Sequence, residues 1–182
     1  MPATYLPNDV PILDTGRLRL RPYRANDLAA CAALWEDPIT IRYTTGKPLT
    51  REDVWLRILA HAGSWALLGY GLWALEDKAT GKYVGELGFI ERARDIYPSF
   101  EGIPEAAWVL DSRLHGKGYA TEGVSAVVAW GDKNFKAART VCLIQEGNTA
   151  SLRVAVKCGY RECARTSYKD QRVIVLERYR SA

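Results

Sequence analysis

The sequence lacks the features that mark secreted, membrane-spanning or nucleic-acid-binding chains. Residues 1–13 have neither a charged start nor a continuous apolar core, so no signal peptide is expected. The longest nearly unbroken apolar stretch, residues 65–75, contains two glycines and is shorter than the ~18 residues needed to span a bilayer. No run of about five or more like charges occurs, as a nucleic-acid-binding arm would require. These absences predict a cytoplasmic protein that binds neither membrane nor nucleic acid.

Residues that bind metals or form disulfides are scarce. The four cysteines form no CxxC pair, and His61 and His115 are the two histidines. In a reducing compartment such cysteines are expected to be small buried hydrophobic residues rather than a disulfide framework. A structural zinc ion takes about four Cys or His ligands close together. We therefore predict no metal.

The composition is that of an ordinary globular domain. The 182 residues are 48% hydrophobic and 25% charged, with a formal net charge of +4. A single domain over residues 1–182 is expected, with residues 1–14 as an N-terminal extension and no repeat or linker. The mild basic excess favours an anionic small ligand over DNA, but an ordinary solvated basic surface would give the same balance.

Local patterns predict a mixed α/β order, with an antiparallel first half and a strand-helix-strand-helix second half. Helices are predicted over residues 28–36 and 51–62, after Gly118, and from an Asn148 cap to Gly159. Strands are predicted over residues 15–22, 70–76, 83–92, 106–110, 140–145, 160–168 and 172–178. Residues 93–104 are predicted to form a long loop that lines a pocket.

A glycine-punctuated turn, residues 113–118 with the sequence RLHGKG, joins a predicted strand to a predicted helix. Glycines let the backbone approach a ligand, and the first N–H groups of a helix carry partial positive charge, so the turn suits a pyrophosphate. A turn made only for tight packing would have the same pattern. Two other phosphate-binding loops are excluded by spacing: Thr121 occupies the third glycine position of GxGxxG, and GxxxxGK[ST] is absent.

Four ordered segments resemble the RimJ/RimL-like branch of the GNAT superfamily, the ribosomal-protein alanine N-acetyltransferase type. They read TGRLRLRP at residues 15–22, VGELG at 84–88, RLHGKGYATE at 113–122, and NTAS and KCGY at the two ends of residues 148–160. The resemblance covers about residues 15–178. It implies a splayed, mostly antiparallel sheet flanked by helices, and acetyl-CoA-dependent transfer of an acetyl group to a primary amine.

The resemblance also implies a set of site residues. The pantetheine arm of the cofactor would lie between the strands at residues 106–110 and 140–145. The implied cofactor-binding residues are Trp108, Val109, Leu110, Arg113, His115, Gly116, Lys117, Gly118, Tyr119, Ala120, Asn148 and Ser151. Many members place a proton-donating tyrosine seven residues after the asparagine, where this chain has Ala155. Ser151 matches the serine given that role in RimL-like members, as a hydrogen-bond donor or water relay to the sulfur.

The sequence indicates the general base less clearly than it indicates the cofactor-binding residues. A carboxylate beside the strand at residues 106–110 could accept the amine proton directly or through water, which makes Glu105 the first candidate and Glu86 the second. A solvated carboxylate at a strand end is the alternative reading for both.

The acceptor is not identified by the sequence. Trp35, Tyr43, Trp65, Tyr70 and Trp73 lie in the half that forms the acceptor mouth in such folds, but large aromatic side chains are more often core. A small-molecule or peptide amine is the expected partner, and a homodimer is compatible with the sequence. A catalytically silent acyl-CoA-binding module would keep the same turn, so it stays as the second hypothesis.

Overall fold

The centre of the fold is an open sheet of eight strands, seen in the computed structural model over its described residues, 10–180. The strands are β1 (Leu13–Asp14), β2 (Leu18–Arg21), β3 (Leu72–Asp77), β4 (Tyr83–Ile90), β5 (Glu105–Leu110), β6 (Arg139–Gln145), β7 (Arg161–Tyr168) and β8 (Gln171–Tyr179). The helices are α1 (Leu28–Glu36), α2 (Pro38–Ile41), α3 (Arg51–Leu68), α4 (Tyr119–Asn134) and α5 (Thr149–Lys157). The sheet order is β1-β2-β3-β4-β5-β6-β8-β7.

The sheet is almost divided between β5 and β6. These two strands are parallel and meet at one register pair, Glu105 with Val141, whereas β5 pairs with β4 over its whole length and β6 pairs with β8 over its whole length. The other neighbouring strands are antiparallel. The prediction of a splayed, mostly antiparallel sheet flanked by helices is confirmed.

Helices cover both faces of β4, and the alternation of side chains along the strand decides what each helix contacts. Leu87 packs against α4, where a Cβ built on Gly123 would come within 2.5 Å of it. Glu86 points to the opposite face, where Arg57 of α3 binds it. On that second face, α1 and α3 share a small core of their own through Trp35 and Val54.

The helix ends follow local capping chemistry. Thr50 caps α3 as predicted: its hydroxyl accepts from Asp53 N at 3.1 Å, and the Asp53 carboxylate accepts from Thr50 N at 3.0 Å. The helix continues past the predicted end at residue 62, because it stops only where Gly69 takes a left-handed conformation with φ 76. The short helix α2 was not predicted; Asp37 caps it by accepting from two backbone N–H groups. No helix of the described chain is long and apolar enough to cross a membrane.

The structure bears on two further expectations, the N-terminal extension and the burial of the cysteines. The proposed extension, residues 1–14, lies mostly outside the described residues, but in its described part Pro11 O accepts the Trp73 indole N–H at 2.7 Å. The prediction that all four cysteines are buried is wrong for Cys163, which is exposed. That residue lies on β7, an edge strand of the sheet, whereas Cys31, Cys142 and Cys158 are buried as expected.

Gly88 of β4 should not tolerate a side chain. A Cβ built there would lie 2.3 Å from Gly71 O and 2.9 Å from the Leu72 Cα, both backbone atoms that cannot turn aside. Gly88→Ala should therefore lower the free energy of unfolding by about 1–3 kcal/mol. Gly63→Ala should instead raise it by ~0.5–1 kcal/mol, because that helical glycine has open space around its Cβ position. Urea titration of both variants measures the contrast, and equal stabilities would contradict it.

Candidate active site

The free edge of β5 lines the opening between the two halves of the sheet. Asp111 N donates to Val84 O at 2.9 Å, and hydrogen-bonded positions alternate along an antiparallel pair. The backbone groups of Val109 therefore face β4, while those of Trp108 and Leu110 face β6 across the opening. At the closed end, Val141 N donates to Pro104 O at 3.1 Å. Beyond that point the peptide groups of Trp108 and the N–H of Leu110 face the opening without a backbone partner, whereas Leu110 O accepts from His115 Nε2 at 3.1 Å. The groups of Trp108 and Leu110, rather than those of Val109, are therefore the ones that face a ligand in the opening.

The turn after β5 presents N–H groups at the mouth of this opening. Gly116 and Gly118 have positive φ of 74 and 82, and α4 begins directly after Gly118. The N–H groups of His115 and Lys117 bond within the turn, to Ser112 O at 3.0 Å and Leu114 O at 3.3 Å. Those of Gly116, Gly118, Tyr119 and Ala120 form no such turn bond, and a helix leaves its first N–H groups free. Nothing lies within 4 Å of a Cβ built on Gly116, so the space beside it is open for an anion.

The two cations of the turn differ in their partners. Arg113 lies against Asp111, with Nε at 2.9 Å and 3.1 Å from the two carboxylate oxygens. This ion pair partly neutralises Arg113, and the guanidinium holds the pKa of Asp111 below its usual range. Lys117 is exposed and forms no ion pair with any residue between 10 and 180. Of the two, Lys117 is thus the cation free to meet an anion.

Glu122 ties this turn to the start of the chain. Its carboxylate accepts from Thr15 Oγ1 at 2.6 Å, and from Arg17 N and Nε at 2.7 Å each. Arg17 also donates to Lys117 O at 2.9 Å. Burial would raise the pKa of Glu122, but these donors lower it on balance. The sequence patterns did not predict this clamp, although an acidic residue in the first turn of α4 was a visible signal.

The opposite lip of the opening carries the second predicted constellation. Asn148 follows β6, and its Oδ1 caps α5 by accepting from Ser151 N at 3.1 Å. Ser151 is half-buried in the first turn of this helix. Tyr43 lies across the same lip, 3.4 Å from a Cβ built on Gly147. Of the aromatic residues considered for the acceptor mouth, Tyr43 is therefore near the opening, whereas Trp35, Trp65 and Trp73 belong to the core.

Glu86 is a fully buried carboxylate with several donors. Tyr23 donates to its Oε2 at 2.6 Å, and Arg57 donates to Oε1 from Nε at 3.0 Å and also from Nη2. His61 Nε2 lies 3.8 Å from Oε1, which is too long for a hydrogen bond. Burial alone would raise the pKa of Glu86, but the Arg57 guanidinium holds it well below its usual range.

Glu105 lies on the same face of the sheet. Both of its oxygens accept from Arg94, each at 2.7 Å, and Arg94 in turn lies 4.7 Å from the centre of the Tyr168 ring. The register pairs Gly88 with Ala107 between the two carboxylates. Glu86 and Glu105 thus stand at the two ends of a floor made of small residues, which we call the carboxylate face.

A cavity of about 670 Å³ lies elsewhere, between α1, the β3–β4 turn and the segment after β5. Arg24 and Lys82 line it together with Asp37, and it reaches the turn only at residues 111–113. Glu86, Glu105, Gly116 and Ser151 do not line it. Within the described chain, no group of three His, Cys, Asp or Glu residues is placed to hold a metal ion.

Comparison with known proteins gives the class that this fold and site define. Residues 17–161 match the model of the acetyltransferase (GNAT) domain, so the chain belongs to that family. A Bordetella pertussis structure described as a GnaT-family acetyltransferase is 32% identical, has a TM-score of 0.83, and matches over 93% of this chain and 99% of its own. YkkB of Bacillus subtilis (strain 168) is 32% identical over 151 residues, 81% of this chain and 83% of that protein. A Vibrio cholerae spermidine N-acetyltransferase, solved with CoA and spermine, shares the fold at 14% identity, with a TM-score of 0.71 over 91% of this chain and 97% of its own.

The carboxylate of Glu86 should be essential for stability. Glu86→Gln leaves the Arg57 guanidinium buried without its counter-charge, so the free energy of unfolding at pH 7 should fall by about 3 kcal/mol. This is the low end of the range for breaking a buried pair, because the Arg57 side chain is 18% exposed. Because the folded-state pKa of Glu86 is depressed, its contribution is present above the unfolded value of ~4.3 and is lost as the pH falls further.

The difference between wild type and Glu86→Gln should therefore shrink below about pH 4.3. Urea unfolding at pH 7 and in steps down to acid measures this. Glu101→Gln, at an exposed glutamate, is the matched control and should leave stability unchanged at every pH. If Glu86→Gln were as stable as the control at pH 7, the ion pair with Arg57 would not stabilise the fold.

Proposed function

We propose that this protein is an acetyl-CoA-dependent N-acetyltransferase that transfers the acetyl group directly to a primary amine. The observation that carries the proposal is the continuity of the unpaired edge of β5 with the N–H groups at Gly116 to Ala120. An extended molecule with amides at one end and a diphosphate at the other matches this run of peptide groups followed by an anion site. Bound acetyl-CoA would supply a thioester, an activated form of the acetyl group.

Each part of the site then has a proposed role. The Trp108 and Leu110 peptide groups would bind the amides of the pantetheine arm, and the N–H groups of Gly116, Gly118, Tyr119 and Ala120 would bind the diphosphate. Lys117 would add its free charge there. Asn148 and Ser151 would line the other lip of the opening. The Ser151 hydroxyl would donate a hydrogen bond toward the sulfur, where negative charge develops as the thiolate leaves.

Glu105 is the carboxylate we propose as acceptor of the amine proton, directly or through water. It lies where β5 meets β6, beside the opening, and its side-chain partner is Arg94, whereas Glu86 lies on β4 and is bound by both Tyr23 and Arg57. Both carboxylates are buried. The base can be modest, because an α-amino group titrates near ~8 and needs less help than a lysine amine near ~10.4. Glu86 stays the second candidate.

The acceptor is proposed as a small-molecule or peptide amine, and the RimJ/RimL-like branch and a cytoplasmic location remain predictions. Solved ribosomal-protein acetyltransferases share the fold at 16% and 17% identity, which carries no substrate assignment. A catalytically silent acyl-CoA-binding module is the alternative from another class. Turnover separates the two hypotheses.

The direct experiment measures the free thiol released from acetyl-CoA with a panel of amines. We expect amine-dependent release, and acetyl-CoA at about 100 times its dissociation constant should stabilise the fold by roughly 2.7 kcal/mol in thermal melting. NAD should give no such stabilisation. Stabilisation by acetyl-CoA without release from any amine would favour the silent module, and no stabilisation at all would contradict the cofactor assignment.

Gly116→Val tests the location of the cofactor in the same assay. The valine side chain would fill the open space beside the N–H groups, so it should remove both stabilisation and turnover. Gly81→Val is the matched control, because Gly81 also has positive φ and an unobstructed Cβ position but lines the separate cavity. Both variants carry the same backbone strain, so only Gly116→Val should lose the acetyl-CoA effect.

Glu105→Gln should lower turnover by about 100-fold at neutral pH and recover part of the loss as the pH rises. Glutamine keeps the shape of the side chain but not its ability to accept a proton, and an amine that arrives neutral at high pH no longer needs a base. The measurement is kcat against pH for the best amine of the panel, in wild type, Glu105→Gln and Glu86→Gln. Parallel profiles of wild type and Glu105→Gln would remove Glu105 from the proton transfer.

A further inference from the structure

The guanidinium of Arg17 contacts the glycine-punctuated turn from the segment before β2. Its Nη1 donates to Lys117 O at 2.9 Å, and its Nε donates to Glu122 Oε2 at 2.7 Å. The guanidinium carbon lies 4.0 Å from the centre of the Tyr119 ring, and Nη2 would lie 3.5 Å from a Cβ built on Gly118. One side chain thus contacts the last peptide of the turn and the first turn of α4 together.

The bond to Lys117 O fixes the direction of the next N–H group. The peptide between Lys117 and Gly118 is planar and trans, so its C=O and its N–H point in opposite directions. Because the carbonyl is turned toward Arg17, the Gly118 N–H points away from the guanidinium, and no group in the described chain accepts from it. Arg17 therefore orients, from behind, one of the N–H groups proposed to bind the diphosphate.

The segment that carries Arg17 is itself anchored to the sheet. Arg17 O accepts from Lys78 N at 2.9 Å, and Lys78 Nζ donates to Thr15 O at 2.8 Å. Arg17 N donates to Glu122 Oε1 at 2.7 Å, so one carboxylate binds both the backbone and the side chain of this residue. The guanidinium is therefore held in place before a ligand binds, and such preorganisation reduces the entropy lost on binding.

The ion pair between Arg17 and Glu122 adds little to the stability of the fold. The two side chains are 43% and 21% exposed, and pairs near the surface contribute little because water and salt screen them. The pair does compensate the carboxylate of Glu122, which would otherwise repel an anion at the start of α4. Loss of Arg17 should therefore affect anion binding more than it affects folding.

We propose that Arg17 is a positioning residue for the diphosphate of CoA. By binding Lys117 O while it is fixed by Glu122, it holds the Gly118 N–H toward the anion, and it does not contact the cofactor itself. This inference rests on the proposed function, because it takes the turn as the diphosphate site. The diphosphate is remote from the thioester, so the contribution is the same before and during acetyl transfer and should appear in affinity rather than in kcat.

Titration calorimetry with CoA tests the inference without turnover. Arg17→Gln should raise the dissociation constant about 10-fold, as the loss of one well-oriented hydrogen bond to a charged ligand would give. Arg17→Lys should lose less, because it keeps the charge but not the fork that reaches two acceptors. Arg19→Gln is the matched control: Arg19 is 45% exposed, pairs with Asp14 instead, and should leave the affinity unchanged when replaced.

Two further titrations separate positioning from other roles of Arg17. Dephospho-CoA keeps the diphosphate but lacks the 3′-phosphate, and Arg17→Gln should weaken its binding by the same factor. An effect confined to CoA would make Arg17 a direct ligand of the 3′-phosphate and overturn the inference. The double variant Arg17→Gln/Glu122→Gln removes both charges and should still bind CoA more weakly than wild type. Recovery to wild-type affinity would mean that Arg17 only neutralises Glu122, which would also overturn it.

Turnover gives a readout that a general structural defect would not reproduce. Arg17→Gln should raise KM for acetyl-CoA about 10-fold with kcat unchanged, whereas KM for acetylpantetheine, which has no diphosphate, should stay the same. A dissociation constant for CoA equal to that of wild type, or a KM that rises for both donors, would overturn the inference and leave the acetyltransferase proposal intact. If no amine is acetylated, that proposal fails and calorimetry alone decides the role of Arg17; a wild type that binds no CoA would overturn both.

Discussion

The structure depends on the single point at which β5 and β6 meet, the pair of Glu105 with Val141. Each strand is paired along its full length with its other neighbour, β5 with β4 and β6 with β8. Beyond the pair they diverge and leave peptide groups of β5 without a backbone partner. Such groups must be satisfied by water or by a ligand. A ligand can therefore bind in the opening without breaking backbone hydrogen bonds between the strands.

The two buried carboxylates differ in where they lie relative to this junction. Glu86 lies within the well-paired half, fully buried and bound by Arg57 and Tyr23, and its charge mainly holds α3 to the sheet. Glu105 lies at the junction itself, next to the opening, with a single guanidinium partner in Arg94. The two carboxylates of this face thus differ in position: Glu86 is enclosed by donors, and Glu105 borders the opening.

Much of the fold could be predicted because its signals are local. The Thr50 cap, the turn at Gly116 and Gly118, and the loop over residues 93–104 depend on residues near each other in sequence, and the structure has them where they were expected. The end of α3 was predicted too early, because a glycine inside a helix costs only about 1 kcal/mol and packing can outweigh it.

What could not be predicted depends on distance in sequence. Glu122 and Arg17 are 105 residues apart in the sequence. No local pattern predicts that the residue before β2 forms an ion pair with the first turn of α4. The exposure of Cys163 follows from the strand order, which places β7 at the edge.

The most direct test of the central claim is amide hydrogen exchange with and without acetyl-CoA, read residue by residue. If the unpaired edge of β5 and the turn after it hold the cofactor, protection should increase at Trp108, Leu110, Gly116 and residues 118–120. Val109, already paired to β4, should change little. Protection that rises instead around the separate cavity, at residues 24–37 and 81–84, with no change at Trp108 or Gly116, would contradict the account.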